Sequence, residues 1–220
     1  MEEISVFNQI LASALEMGWL QWLAFIFGII YVILAARENI WCWPVGLASV
    51  VIAFFVYADP EIRLYSDALL QVFYAIMSVY GWWLWTRTTN IEGGSEPESE
   101  SKSKLAIREW PIHRHLLFLI IGLILAVIWG KVCEVYFGAE LPYIDAATTV
   151  FSLVATYMVT QKILENWLYW IVIDVVCIFV YLHRELYLFS IMFLIYTVVA
   201  VIGYYNWRKE YREGLSVVSI

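Results

Sequence analysis

Seven stretches of this chain carry sixteen to twenty-two consecutive, mainly apolar residues, the length that crosses a bilayer as a helix. They read as Trp19–Ala36, Ile40–Ala58, Leu64–Trp85, Leu116–Tyr136, Ile144–Ile163, Trp167–Leu182 and Leu186–Trp207. Three of them, the first, second and last, contain no charge at all. Inside lipid every backbone N–H and C=O needs a partner within the chain, so runs of this kind are helices. Composition agrees: 63% of the 220 residues are apolar and 15% charged, with a mean hydropathy of +0.75. That leaves too little polar surface to cover a water-soluble globule. Soluble enzymes, nucleic-acid binders and disordered chains are poor fits. The three cysteines, Cys42, Cys133 and Cys177, have no C-x-x-C spacing and suggest buried apolar positions, not a disulfide frame.

Residues 1–17 lack Lys and Arg, so they do not read as a signal peptide. Ile4, Phe7, Ile10, Leu11 and Leu15 recur at helical spacing and predict a short amphipathic helix at the membrane surface. Orientation follows from the basic residues between spans. Arg37, Arg87, Lys102, Lys104, Arg108, Arg114, Lys162, Arg208, Lys209 and Arg212 fall on one side, against Arg63, Lys131 and Arg184 on the other. This bias places the N-terminus outside and the C-terminus in the cytoplasm. Trp19, Trp41, Trp43, Trp82, Trp83, Trp85 and Trp207 sit at segment ends, as interface anchors do. The polar stretch Gly93-Gly94-Ser95-Glu96-Pro97-Glu98-Ser99-Glu100-Ser101-Lys102-Ser103-Lys104 lies within a flexible cytoplasmic linker expected over residues 87–115.

The linker divides two similar halves, residues 18–86 and 143–208, with a lone span at 116–137 between them and a cytoplasmic tail over 209–220. Glu38-Asn39 and Trp43 match Glu165-Asn166 and Trp170 at an offset of 127. Leu64-Tyr65, Tyr74, Gly81 and Trp85 match Leu186-Tyr187, Tyr196, Gly203 and Trp207 at 122. The expected fold is all-α and integral to the membrane, with seven transmembrane helices in a 3+1+3 arrangement. The odd central helix makes the two triplets parallel, as in SWEET-type carriers, with substrate held between them near the midplane.

The halves differ where specificity would reside. Asp67, Gln71, Tyr74 and Ser78 share one helical face, whereas the second copy offers Phe189, Phe193, Tyr196 and Ala200. Asp145, Thr149, Ser152, Thr156 and Thr160 form a polar stripe along another helix. Such hydroxyls either line a pathway or bond to their own helix's carbonyls. Trp167, Trp170 and Asp174 put two indoles and a carboxylate on one face. An acid within a span normally faces protein or water and marks a ligand or a pathway; the rival reading is a buried acid that caps hydroxyls. Phosphate is usually held by Arg, Lys or helix N-termini; apart from Lys162, at the very end of its span beside the loop, Lys131 is the one basic residue inside a span, so a phosphorylated substrate is poorly served. Indole faces attract a flat cation, Asp174 can balance its charge, and Gln71, Asn39 and Asn166 can bond hydroxyls or an amide. No ATP-binding loop or nucleophile–base motif is visible, and no cofactor or metal site is expected. His113, His115 and His183 lie near loop ends and read as surface groups.

The stretches Asn39-Ile40-Trp41-Cys42-Trp43-Pro44-Val45-Gly46, Leu64-Tyr65-Ser66-Asp67-Ala68-Leu69-Leu70-Gln71 with Tyr74, Tyr80-Gly81-Trp82-Trp83-Leu84-Trp85, and Glu165-Asn166-Trp167-Leu168-Tyr169-Trp170 with Asp174 resemble the PnuC family of bacterial nicotinamide riboside transporters. The resemblance spans roughly residues 20–208. It implies a SWEET-like homotrimer in the inner membrane that takes up nicotinamide riboside by facilitated diffusion, the vitamin being trapped by cytoplasmic phosphorylation. It would place Asn at Cys42 and Gln at Thr156. The substrate-binding set expected on both grounds is Asn39, Trp43, Asp67, Gln71, Tyr74, Thr149, Ser152, Asn166, Trp167, Trp170, Asp174 and Tyr196. Competing readings are thiamine or riboflavin as substrate, an intramembrane enzyme using Asp67, Asp145 and Asp174, and a structural membrane protein whose stripes only pack helices.

Overall fold

The computed structural model describes residues 6–59, 65–87, 105–137 and 140–218; the side chains of residues 65–69, 137 and 215–218 lie outside that description. The described residues form an all-helical protein. Its helices are α1 (Val6–Glu16), α2 (Trp19–Ala36), α3 (Cys42–Tyr57), α4 (Tyr65–Thr86), α5 (Ile112–Val132), α6 (Pro142–Thr160), α7 (Asn166–His183) and α8 (Tyr187–Val218), with a π-helical turn over Cys133–Phe137. Four stretches, Trp19–Ala36, Ile112–Tyr136, Asn166–His183 and Tyr187–Gly214, are long and apolar enough to cross a membrane. The amphipathic N-terminal helix is present as α1, and Trp22 Nε1 donates to the Ala14 carbonyl to tie it to α2.

Six helices make a closed ring in which each touches the next: α2, α3, α4, α6, α7, α8 and back to α2. α5 stands outside this ring against α6. Its Leu116, Leu117, Ile120, Leu123 and Ile124 remain exposed, which a bilayer tolerates and water does not. Small residues let it approach: a Cβ on Gly122 would meet the Phe151 ring, and one on Gly130 the Tyr143 ring.

The α2–α3 and α6–α7 corners repeat each other bond for bond. Glu38 N donates to Ala35 O, and Asn39 N to Leu34 O; Lys162 N donates to Val159 O, and Ile163 N to Met158 O. These are the paired bonds of a Schellman helix end, and Glu38 and Lys162 both take the left-handed conformation it needs, each at φ 51°. Cys42 N to Asn39 O and Asn166 N to Ile163 O continue the match. The offset is therefore 124, three residues less than the 127 drawn from the Glu-Asn pairs. Trp43 consequently pairs with Trp167, not with Trp170, and Cys42 with Asn166. Sequence identity had aligned chemically alike residues, while the hydrogen-bonded corner fixes the backbone register. α4 and α8 keep the expected 122, since Gly81 faces Trp43 as Gly203 faces Trp167.

Three further expectations change. The linker ends sooner than residue 115: Ile107 is buried, Leu105 packs on the core, and Arg108 forms a β-bridge with Ile163. Arg108 N donates to Lys162 O and accepts at its own carbonyl from Leu164 N. α8 runs past Trp207 to Val218, where charged residues such as Lys209 and Glu213 succeed one another at i,i+4 spacing. Of the tryptophans read as interface anchors, Trp19, Trp41 and Trp83 are exposed, but Trp43, Trp85 and Trp207 are core residues. The positions at the ends of apolar runs are the same in both cases. What separates them is a facing glycine or carbonyl that accepts the indole.

Candidate functional site

Midway along the ring the side chains become polar. Asp174, eight residues into α7, is 3% exposed. It lies near the Tyr196 hydroxyl of α8 and near Cys177 one turn along its own helix. The Tyr196 oxygen reaches α2, where it would stand 2.9 Å from a Cβ built on Gly28. Gly28 thus leaves room for a hydroxyl that any larger residue would displace. Ser49 of α3 adjoins the same spot and donates to the Ala24 carbonyl at 2.8 Å. Phe25 and Phe193 stand edge-on to the Tyr196 ring at 6.2 and 6.0 Å. Across the ring, Tyr74 of α4 lies near Ser152 of α6, with Tyr31 close by. Among the described residues no Lys, Arg or His forms an ion pair with Asp174.

Toward the linker end the ring is filled with indoles. Trp43 and Trp167 are each 1% exposed. Trp43 stands edge-on to Trp85 at 5.2 Å and 87°, and Trp167 to Trp207 at 5.4 Å and 88°. Gly81 and Gly203 face Trp43 and Trp167 respectively; a Cβ on Gly203 would come within 2.8 Å of the indole. Trp85 Nε1 donates to Thr160 O at 3.1 Å, and Trp207 Nε1 to Ala35 O at 3.0 Å. Each of these bonds runs from the last helix of one half to the end of the first helix of the other.

The expected site residues divide by depth. Asp174, Tyr196, Tyr74 and Ser152 gather in the middle. Trp43, Trp167 and Asn166 lie in the packed linker-end layer. Asn166 Nδ2 donates to Ile163 O at 2.7 Å, while its Oδ1 and the Nε1 atoms of Trp43 and Trp167 are buried without a partner. Trp170 is half-buried against that layer, one turn from Asp174. Asn39 is exposed at the α3 corner, where its Oδ1 accepts from Trp41 N. Gln71 is half-buried on α4, and the side chain of Asp67 lies outside the described residues. Thr149 Oγ1 donates to Asp145 O, Thr156 to Ser152 O and Thr160 to Tyr157 O. Three of the four hydroxyls in the stripe are thus tied to their own helix, and Ser152 is left to the central group.

Sequence reasoning missed several participants. Tyr31, Gly28 and Ser49 read as ordinary span residues. Lys162 was counted only as a loop charge, yet it is 5% exposed and its Nζ lies 2.7 Å from Glu38 Oε2. His115 is also not a surface group: its side chain is 12% exposed and its Nδ1 lies 3.1 Å from Tyr169 Oη. At the opposite end Arg184 Nη2 donates to Asp145 Oδ2 at 2.7 Å, a hydrogen bond that holds the guanidinium more firmly protonated. No cluster among the described residues could hold a metal ion.

A six-helix ring around a buried acid, phenols and hydroxyls, with α2, α7 and α8 long and apolar enough to cross a membrane, fits a multi-pass membrane carrier. A family model described as nicotinamide mononucleotide transporter matches residues 18–209, and the chain belongs to that family. It is 28% identical over 236 residues to the nicotinamide riboside transporter PnuC of Escherichia coli K12, covering 96% of this chain and 94% of that one. It is 25% identical to the nicotinamide riboside transporter PnuC of Neisseria mucosa, covering 87% and 73%. The riboflavin/roseoflavin transporter RibM of Streptomyces davaonensis is 22% identical, covering 89% and 87%. In fold the chain is similar to a crystal structure of the vitamin B3 transporter PnuC, with a TM-score of 0.68, 22% identity, and 94% and 88% of the two chains covered.

Proposed function

We propose that this protein carries nicotinamide riboside across the bacterial inner membrane by facilitated diffusion, the product being held inside by phosphorylation in the cytoplasm. The observation that carries the reading is Asp174: a carboxyl 3% exposed, beside the Tyr196 hydroxyl and without a cationic partner among the described residues. The substrate is a flat pyridinium bearing ribose hydroxyls and a carboxamide. Its charge suits the acid, its ring suits the half-buried Trp170 and the phenols, and its hydroxyls suit Tyr74, Ser152 and Gln71. Asn166, with a free carbonyl oxygen, and Trp43 and Trp167, with free indole N–H groups, can each take one hydrogen bond once a ligand or a helix movement reaches them. Asn39 and Thr149 lie toward the two ends of the same route. A mononucleotide would bring a phosphate against Asp174, while Lys162 and Arg184 are already engaged by Glu38 and Asp145. This favours the riboside over its phosphate.

Parallel, SWEET-like three-helix repeats are supported by the duplicated corners and by the reciprocal indole bonds. In this plan the seven spans comprise α2 to α8, with the linker and C-terminus cytoplasmic and the N-terminus outside. Transport is a rocking of the two triplets about the Asp174 level. A homotrimer, which the family resemblance implies, is tested by light scattering of the detergent-solubilised protein. Purified protein in liposomes should equilibrate labelled nicotinamide riboside and accumulate label when a riboside kinase and ATP are enclosed. Liposomes that show no equilibration above empty controls overturn the assignment. The RibM likeness makes riboflavin the second reading: competition by excess riboflavin at sub-saturating nicotinamide riboside favours it, and competition by thiamine would favour that vitamin instead.

A further inference from the structure

We infer that Glu38 and Lys162 form the gate of the linker-side mouth, an ionic latch between the two halves that must open for substrate to pass. The inference rests on the carrier reading above but needs no particular vitamin. Both residues occupy the same point of the duplicated corner, the left-handed position just beyond the first helix of each half. Glycine is the residue such a point favours. Here the two corners carry opposite charges instead, and these meet across the seam between the halves at 2.7 Å. The Lys162 side chain is 6% exposed, and its Nζ also sits 4.6 Å above the Trp85 ring. That ring belongs to the first half and donates to the second through Thr160, while Trp207 of the second half donates back through Ala35. Asn206 Nδ2 to Ala36 O and Gln161 Nε2 to Tyr80 Oη extend the same seam. Asp174 lies eight residues, or about 12 Å, deeper along α7 than Asn166 at the corner.

A pathway from the Asp174 level to the linker side therefore has to part these bonds, and the ion pair is the strongest of them. Separation of the corners leaves two charges that water must reach, so the open mouth is hydrated as it forms. With the pair removed the closed state loses its tie and the mouth opens more often.

Cys42 reports on this directly. It is fully buried next to Trp43 and close to Lys162, and an opening of the linker-side mouth would expose it. In full-length, detergent-solubilised protein carrying Cys133→Ala and Cys177→Ala, a charged maleimide should modify Cys42 slowly. Lys162→Met should raise that rate by at least about tenfold. The double variant Glu38→Gln/Lys162→Met, which leaves no unpaired charge behind to unfold the corner, should do the same. Lys162→Arg, which preserves the charge, should stay close to the parent. Rates are compared below the melting temperature of each variant. If Lys162→Met and the double variant both label at the parental rate, or Lys162→Arg labels as fast as they do, the latch is refuted. The labelling uses no vitamin, so failure of the substrate assignment in liposomes and failure of the latch are separate results.

Discussion

Replacing Asp174 with asparagine removes a charge and almost no volume. The carboxyl is 3% exposed, with the Tyr196 hydroxyl nearby and no cation against it among the described residues. In the unloaded ring the acid is an electrostatic burden, because burial takes away water without supplying a counter-charge. A bound pyridinium supplies it. Opposite unit charges about 5 Å apart, at an effective dielectric of about 20, attract by about 3 kcal/mol. Part of this is returned as desolvation of both groups and part is replaced by the asparagine's own hydrogen bonds, leaving about 1.5–3 kcal/mol. Affinity for nicotinamide riboside should therefore fall roughly tenfold to a hundredfold. The unloaded protein should move the other way, gaining about 1–2 kcal/mol and about 2–8 °C in melting temperature. Equilibrium binding of labelled substrate and a thermal melt of the ligand-free protein, run on the same preparation, read both. A variant that binds as tightly as the parent refutes the counter-charge role. A variant that loses affinity and also melts earlier shows that Asp174 holds the helices together and does not meet the ligand.

Other substitutions probe the scaffold. Gly203→Ala puts a methyl 2.8 Å from the Trp167 indole and should cost about 1–3 kcal/mol in thermal unfolding, with Gly81→Ala worse because its contact with Trp43 is closer. Gly214→Ala, which meets nothing within 4 Å, should be neutral or gain up to about 1 kcal/mol by helix propensity. Trp85→Phe leaves the Thr160 carbonyl without its indole donor and should lower stability by about 1–3 kcal/mol, whereas Trp83→Phe, on an exposed face, should change it little. Arg184→Gln releases Asp145 from a half-exposed pair, so a loss of about 1 kcal/mol or less is expected, and less again at high salt.

Much of the helix plan was legible because bilayer length and backbone satisfaction leave few choices. Trp19–Ala36 falls on the same residues in sequence and structure, and each of the other expected segments has a helix starting within four residues of its own start. Asp174 could be recognised because a lone acid in an apolar run has little other reason to be there. Trp43, Trp85 and Trp207 misled as interface anchors, since their burial depends on Gly81, Ala35 and Thr160, residues distant in sequence. The register was misread for a related reason: Glu38 and Glu165 look equivalent, yet the corner bonds make Lys162 the counterpart of Glu38. An opposite charge at a matched position leaves no trace in an identity count. The Thr149 and Thr156 stripe posed a question that only hydrogen-bond geometry answers, because a threonine bonded to its own helix has the same spacing as one that faces a channel.

The crossed indoles also bear on how the chain is made. Trp85 meets its acceptor 75 residues later, and Ala35 waits 172 residues for Trp207. Helices emerging early from the ribosome thus enter the bilayer with one end unfinished, and the lattice at that end closes only after the final span has been threaded. Nascent chains cut before α8 should stay loosely assembled and open to quality-control proteolysis, however well the first three spans insert.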